Sequence, residues 1–185
     1  MRKNFGAKPW LYPQPVFIIG SYDENGNPNA MNAAWGGIAD ANKIFICLAP
    51  HKTTDNILAR KAFTVSMGTA ETVVPCDYVG IVSGNDEPRK MEKAGFTTVK
   101  SEFVDAPVIC ELPMTLECRL LSYDTENDWL FGEVVNISAE ESVLGDDGNI
   151  DLTKLRPIIF DGIHCAYHVI GEKVGDAFSD GAKLQ

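Results

Sequence analysis

Short apolar runs broken by Gly, Asn, Asp and Pro recur along most of this 185-residue chain. That rhythm constrains the fold more than any other feature, because runs this short bury their side chains as strands and leave little length for crossover helices. Val16-Phe17-Ile18-Ile19-Gly20 leads into Asp23-Glu24-Asn25-Gly26-Asn27, whose Asn-Gly pair suits a tight hairpin, and the chain returns through residues 30–35. Lys43-Ile44-Phe45-Ile46-Cys47-Leu48 and Ala62-Phe63-Thr64-Val65-Ser66-Met67 read as further strands. Between them Thr53, Thr54 and Asp55 mark the start of a helix that ends on Arg60 and Lys61. Val73, Val74, Tyr78, Val79 and Val82 suggest a helical face despite Pro75, and Pro88 opens a short helix that ends before Gly95. Strands resume from Val108: residues 114–120 alternate apolar and polar with a period of two, and residues 129–137 would pair with them. A turn at residues 144–149 precedes strands at 157–160 and 165–170. The expected fold is mainly β with a few helices, an antiparallel closed or nearly closed barrel in a single domain spanning residues 1–185.

A formal charge of -10 argues against a sequence-independent nucleic-acid binder, which needs clustered cations, and disfavours anionic membranes. No apolar N-terminal stretch or membrane-length segment is present, so the chain reads as cytoplasmic. Its five cysteines are odd in number, widely spaced and mostly set among apolar residues, as reduced core side chains are.

Several common chemistries leave spacings that are missing here. There is no G-x-G-x-x-G opening a helix and no phosphate loop, and the serine of Gly80-Ile81-Val82-Ser83-Gly84 falls one place too late for a nucleophile elbow. His164 and His168, with Cys165 between, lack an evident third and fourth metal ligand, so no metal is expected. Two other segments stand out. Pro50-His51-Lys52-Thr53-Thr54-Asp55 joins a cation and two hydroxyls to the free N–H groups of a helix start, which are the parts of an anion site. The same residues also suit a capped helix beside a solvated lysine. Asn29-Ala30-Met31-Asn32-Ala33-Ala34-Trp35-Gly36-Gly37 offers small side chains that let a flat ring approach the backbone, and two amides to bond its edge; tight packing is the other use of such residues.

Taken in order with residues 44–48, Phe63-Thr64-Val65-Ser66-Met67, Ser83-Gly84, residues 89–96, Cys110-Glu111-Leu112-Pro113, Phe131-Gly132-Glu133-Val134 and Arg156-Pro157-Ile158, these two segments resemble the flavin-reductase-like FMN-binding split barrels, the flavoredoxin branch above all. The resemblance covers nearly the whole chain. It implies an FMN-binding oxidoreductase, a homodimer with FMN at or near the interface, and electrons supplied by NAD(P)H or by a redox partner protein. A non-catalytic flavin carrier docking to such a partner is the alternative. Carried over by position, Asn29, Met31, Asn32, Ala33, Ala34 and Trp35 flank the ring or ribityl chain, and His51, Lys52, Thr53 and Thr54 surround the phosphate. Ser66, Met67 and Gly68 add backbone contacts, Lys90 a further cation, and Phe160 an aromatic neighbour whose strand setting equally suits the core. No catalytic acid or base of the chain's own is implied, since the flavin carries the redox chemistry. One departure is that Asn127-Asp128-Trp129 stands where the flavoredoxin branch often carries a histidine.

Overall fold

The computed structural model describes residues 1–184. In chain order its elements are β1 (Gln14–Pro15), β2 (Phe17–Tyr22), β3 (Pro28–Ala33), β4 (Gly36–Asp40), β5 (Lys43–Cys47), α1 (Lys52–Arg60), β6 (Ala62–Met67), α2 (Val73–Ile81) and α3 (Lys90–Ala94). There follow β7 (Thr98–Lys100), β8 (Pro107–Ile109), β9 (Met114–Asp124), β10 (Trp129–Ala139), α4 (Leu152–Leu155), β11 (Ile158–Asp161) and β12 (Ala166–Val169).

The main sheet has seven strands in the order β3-β2-β6-β9-β10-β5-β4, every pair antiparallel. Its two outermost strands, β3 and β4, are joined only by Ala34 and Trp35, so the sheet has to curl until its edges meet. Gly36 marks the meeting point: a Cβ there would lie 2.6 Å from the Phe45 carbonyl oxygen and 2.8 Å from the Phe17 ring, so the closure admits no side chain. The result is the expected antiparallel split barrel. Small residues in this stretch therefore serve packing at Gly36, and at Ala30, which is fully buried.

Phe17, Ile19, Ile46, Phe63, Val65, Leu116 and Leu130 fill the barrel, and Ile57 of α1 plugs it from one end. A second core lies outside the sheet, where Val16, Ile18 and Ala30 meet Cys76 and Val79 of α2, Met91 of α3 and Ile158 of β11. β2 can serve both cores because alternate residues point to opposite faces. The β2–β3 turn uses positive φ at Gly26 (82°), while the Asp23 carboxylate accepts from the backbone N–H groups of Asn25 and Asn27. Arg60, at the end of α1, donates to the Asp23 and Glu24 carbonyls and ties helix to turn. Lys61 then stops the helix in the left-handed region at φ 58°.

Three local expectations are revised. α1 begins at Lys52 with His51 as its N-cap, one residue ahead of the threonines that mark it in the sequence. α3 begins at Lys90, two residues after Pro88, because Glu87 and Arg89 first form a turn that accepts the Lys90 N–H. Residues 36–40 form strand β4, whose Gly-rich start does not look like a strand until the barrel closure explains it. Pro75 sits in the first turn of α2, where its missing N–H has no partner to lose. All five cysteines are free thiols; Cys76 and Cys118 are buried and Cys47 half-buried, whereas Cys110 and Cys165 are exposed, contrary to a wholly core placement.

Candidate functional site

β3 brings its polar side chains to one end of the barrel because its pairing with β2 alternates them between two faces. Asn29 and Met31 point toward α1: the Asn29 Nδ2 donates to Thr53 Oγ1 at 2.8 Å, and Met31 packs on the barrel core. Asn32 points toward α2, its Nδ2 donating to the Cys76 carbonyl at 3.1 Å and the Tyr167 hydroxyl at 3.3 Å. Both amides are pressed by glycines. A Cβ on Gly80 would lie 2.9 Å from Asn32 Cβ, and one on Gly84 would lie 2.4 Å from Asn29 Oδ1 and 3.1 Å from Lys52 Cδ.

The start of α1 faces the same place. His51 is extended, at φ -144° and ψ 168°, and no side chain caps the helix. The hydroxyls that could cap it are used elsewhere, Thr54 Oγ1 donating to the Ala49 carbonyl at 2.7 Å and Thr53 Oγ1 accepting from Asn29. The first-turn N–H groups thus have no side-chain acceptor, which removes the capped-helix alternative and leaves the positive end of the helix open. His51 Nδ1 lies 2.6 Å from the Ala49 carbonyl oxygen, so the bond to the loop leaves Nε2 as the open ring nitrogen.

These elements enclose a cleft of about 380 Å³ lined by Asn29, Met31, Asn32, His51, Lys52, Thr53, Lys90 and the stretch from Val79 to Asn85. Lys90 is its most unusual member. The side chain is 4% exposed, and burial alone lowers its pKa to about 8, with no neighbouring carboxylate to offset the cost. Lys52 adds a second cation, 4.0 Å from Asp23. Two ammonium groups, an uncapped helix start and two fixed amides suit a ligand with a phosphate at one end and hydrogen-bonding edges at the other. A phosphate fits the buried Lys90 in particular, since that charge lacks a partner among the described residues.

Of the residues singled out in the sequence, Asn29, Met31, Asn32, His51, Lys52, Thr53 and Lys90 therefore come together. Thr54 is buried behind them, bonded to the loop it closes. The remainder lie outside the lining of this cleft. Ala33 packs on the barrel core, Ala34 is half-buried in the corner, and Trp35 is half-exposed there with its carbonyl bonded to the Cys47 N–H. Ser66 is buried against Thr115, 2.8 Å between hydroxyls. Gly68 joins Val16 to Ile158, and Met67 borders an apolar groove with Val16 and Leu155. Phe160 packs beside Tyr167 in the second core, ring centroids 6.1 Å apart. β6 runs through the middle of the sheet, so Ser66 is held by neighbours on both sides.

Sequence reasoning missed Gly80 and Tyr167. Tyr167 donates to Asp77 at 2.8 Å and contacts the Asn32 amide, and burial with that carboxylate pushes its pKa up to about 12. Nothing in the local sequence links residues 32, 77 and 167. Asp128, at the departure from the family pattern, accepts from the Tyr123 hydroxyl at 3.1 Å while its carbonyl accepts from the Leu48 N–H, so it braces the loop ahead of α1. His164 and His168 sit 2.7 and 3.7 Å from Asp161. Among the described residues no group of three or more His, Cys, Asp or Glu has metal-holding geometry, and no helix is long and apolar enough to cross a membrane.

Comparison with known proteins places the fold. Flavoredoxin of Desulfovibrio vulgaris (Miyazaki F) superposes with a TM-score of 0.93 at 38% identity, covering 98% of this chain and 100% of that one. An FMN-binding domain of a flavin-reductase-like enzyme from Shewanella baltica OS155 superposes with a TM-score of 0.78 at 21% identity, over 88% of this chain and 89% of that one, a likeness of fold alone. An uncharacterised Aquifex aeolicus protein is 34% identical over 111 residues, 57% of this chain and 55% of that protein. The family described as "Flavin reductase like domain" matches residues 10–160, and the chain belongs to that family.

Proposed function

We propose that the protein is an FMN-dependent oxidoreductase that accepts electrons from NAD(P)H or a redox partner and passes them on through bound flavin. The observation that carries this reading is Lys90, a residue only 4% exposed whose ammonium has no carboxylate partner among the described residues and lines a cleft with Lys52 and the uncapped start of α1. Lys52, Lys90 and the α1 N–H groups would hold the FMN phosphate, with His51 beside them. Asn29, Met31 and Asn32 would border the ribityl chain and ring. Asn32 has its Nδ2 committed to the Cys76 carbonyl and Tyr167, so its Oδ1 is left to accept from a ring or ribityl donor. Bound FMN would supply the electron-transfer chemistry; the chain would orient it and limit water around it.

The FMN assignment draws on the FMN-binding domain of the Shewanella baltica flavin-reductase-like enzyme that shares this fold, and the choice of FMN fits one phosphate facing two lysines. The family's flavoredoxin branch also motivates a cytoplasmic homodimer. Anaerobic addition of NADH or NADPH to the FMN-loaded protein is expected to bleach the visible flavin absorbance within seconds to minutes. A protein that binds FMN but stays oxidised with both nicotinamides, and is reduced by a partner protein in a salt-dependent way, would be the electron carrier instead, a role the net charge of -10 suits through docking to a basic surface.

A further inference from the structure

Three side chains that no local motif connects form a line of hydrogen bonds behind the cleft. Asp77 of α2 accepts from the Tyr167 hydroxyl of β12 at 2.8 Å. Asn32 of β3 donates through Nδ2 to the Tyr167 oxygen at 3.3 Å and to the Cys76 carbonyl at 3.1 Å. Among the described residues Tyr167 is the one hydrogen-bond donor to the Asp77 carboxylate.

The direction of each bond follows from that carboxylate. It can only accept, so it takes the single phenolic proton and leaves the Tyr167 oxygen to accept in turn. A pKa pushed up to about 12 keeps the phenol protonated at neutral pH. Nδ2 of Asn32 therefore faces two acceptors. Turning the amide over would set Oδ1 against two sets of lone pairs, so the amide is held one way round. Nor can the side chain retreat, because α2 packs directly on it: a Cβ on Gly80 would lie 2.9 Å from Asn32 Cβ. With both Nδ2 protons spent, Asn32 has only Oδ1 to offer a ligand in the cleft it lines.

A fixed acceptor distinguishes the two oxidation states of a flavin. Two electrons and a proton, delivered together as a hydride or separately, turn a ring nitrogen that accepts into an N–H that donates. A free amide would adapt to either state by flipping, whereas a fixed Oδ1 favours the N–H.

We propose that Asp77 and Tyr167 are positioning residues that hold Asn32 as a one-way acceptor and so bias the cleft toward reduced flavin. This rests on the flavin reading above and adds to it the direction in which the chain tunes the ring.

The test compares the affinities of the full chain for oxidised FMN and for dithionite-reduced FMN without oxygen, in wild type and in Tyr167→Phe. That change keeps the ring, which packs beside Phe160, and removes only the hydroxyl. The preference for reduced FMN should fall about tenfold, equal to a midpoint potential about 30 mV lower for a two-electron couple. In an Asn32→Ala background Tyr167→Phe should change nothing further, because its effect passes through the amide. The flavin-free protein gives a second readout by NMR. Exchange of the Asn32 side-chain NH₂ protons should be about tenfold faster in Tyr167→Phe, and also in Asp77→Leu, where the phenol is free to turn its proton toward Asn32. Equal weakening of both oxidation states by Tyr167→Phe overturns the proposal and leaves the flavin reading intact. So does a change in preference that survives in Asn32→Ala, or unaltered exchange in Asp77→Leu. A wild type that binds FMN in neither state sinks both readings.

Discussion

The β11–β12 turn and the cleft between β3, α1 and α3 both gather ionisable side chains, and they treat charge in opposite ways. At the turn, Asp161 is met on every side: the Tyr12 hydroxyl, the His164 ring and the backbone N–H groups of Ile163 and His164 all donate to it, and His168 stands 3.7 Å away. Those bonds, Tyr12 first and His164 next, hold its carboxyl well below the usual carboxylate range. In the cleft, Lys90 is buried and burial is the sole cause lowering its pKa. A charge whose neighbours cancel it is part of the scaffold. A buried charge left without a neighbour costs stability until something supplies the counter-charge, so it marks where a ligand is expected.

The largest effect should come from breaking that asymmetry at Lys90. Lys90→Met removes a partly desolvated ammonium that no carboxylate offsets, so the flavin-free protein at pH 7 should become more stable, by about 1–3 kcal/mol. The same change should weaken FMN binding about 100-fold while barely touching riboflavin, which lacks the phosphate. Opposite signs for stability and affinity are the signature; a loss of both would make Lys90 an ordinary structural residue. pH sharpens the point. The folded pKa is depressed, so the flavin-free chain favours the neutral amine above about pH 8. FMN affinity should then fall as pH rises past that value, and Lys90→Met should flatten the dependence. Calorimetry and thermal melts at pH 7 and pH 9 measure both.

The same contrast shows which parts of the molecule can be read from sequence. The strands, the β2–β3 turn and α1 are local events, legible because alternation, Asn-Gly and a basic helix end act over a few residues. The stretch from Asn29 to Asn32 and the Pro50–Thr53 loop, which supply lining of the cleft, stood out for a related reason: amides, hydroxyls and a cation crowd together there against the surrounding apolar pattern. Ser66, Gly68 and Phe160 looked alike in one dimension, but β6 lies between β2 and β9, so neighbours on both sides enclose Ser66. Tyr167 was illegible because its partners, Asn32 and Asp77, come from β3 and α2 and meet only once the second core forms. Gly36 has the same status, since its need for no side chain arises only when the two edges of the sheet meet.

Two glycines carry the comparison to an intermediate effect. A methyl group on Gly84 would sit 2.4 Å from Asn29 Oδ1 and 3.1 Å from Lys52 Cδ, which forces apart two of the groups that line the cleft. Gly84→Ala should therefore lower FMN affinity about tenfold, with the Asn29–Thr53 bond strained. At Gly162, in the Asp161 turn, the nearest atoms to an added Cβ are 3.4 and 3.5 Å away, ordinary contact distances. Gly162→Ala should leave both affinity and melting temperature nearly unchanged. Equal effects from the two alanines, read by the same flavin titration, would remove Gly84 from the site.

The smallest effect on flavin should follow Asp161→Asn, and its value lies in what moves instead. Tyr12 donates to this carboxylate, and the following Gln14–Pro15 strand pairs with β11, so the interaction anchors the N-terminal arm to the β11–β12 hairpin. The folded-state pKa of Asp161 lies below the ordinary value of 3.8, so its contribution is fully present above about pH 4 and is lost as the pH falls through the lower, folded value. Wild type should accordingly shed part of its stability below pH 4, and Asp161→Asn should shed less because it has no carboxylate left to protonate. At neutral pH the variant should bind FMN within about twofold of wild type, yet become more open to proteolysis around Tyr12. A fall in FMN affinity comparable to that of Gly84→Ala would join the two regions into one functional unit, because an amide at residue 161 alters no group that lines the cleft.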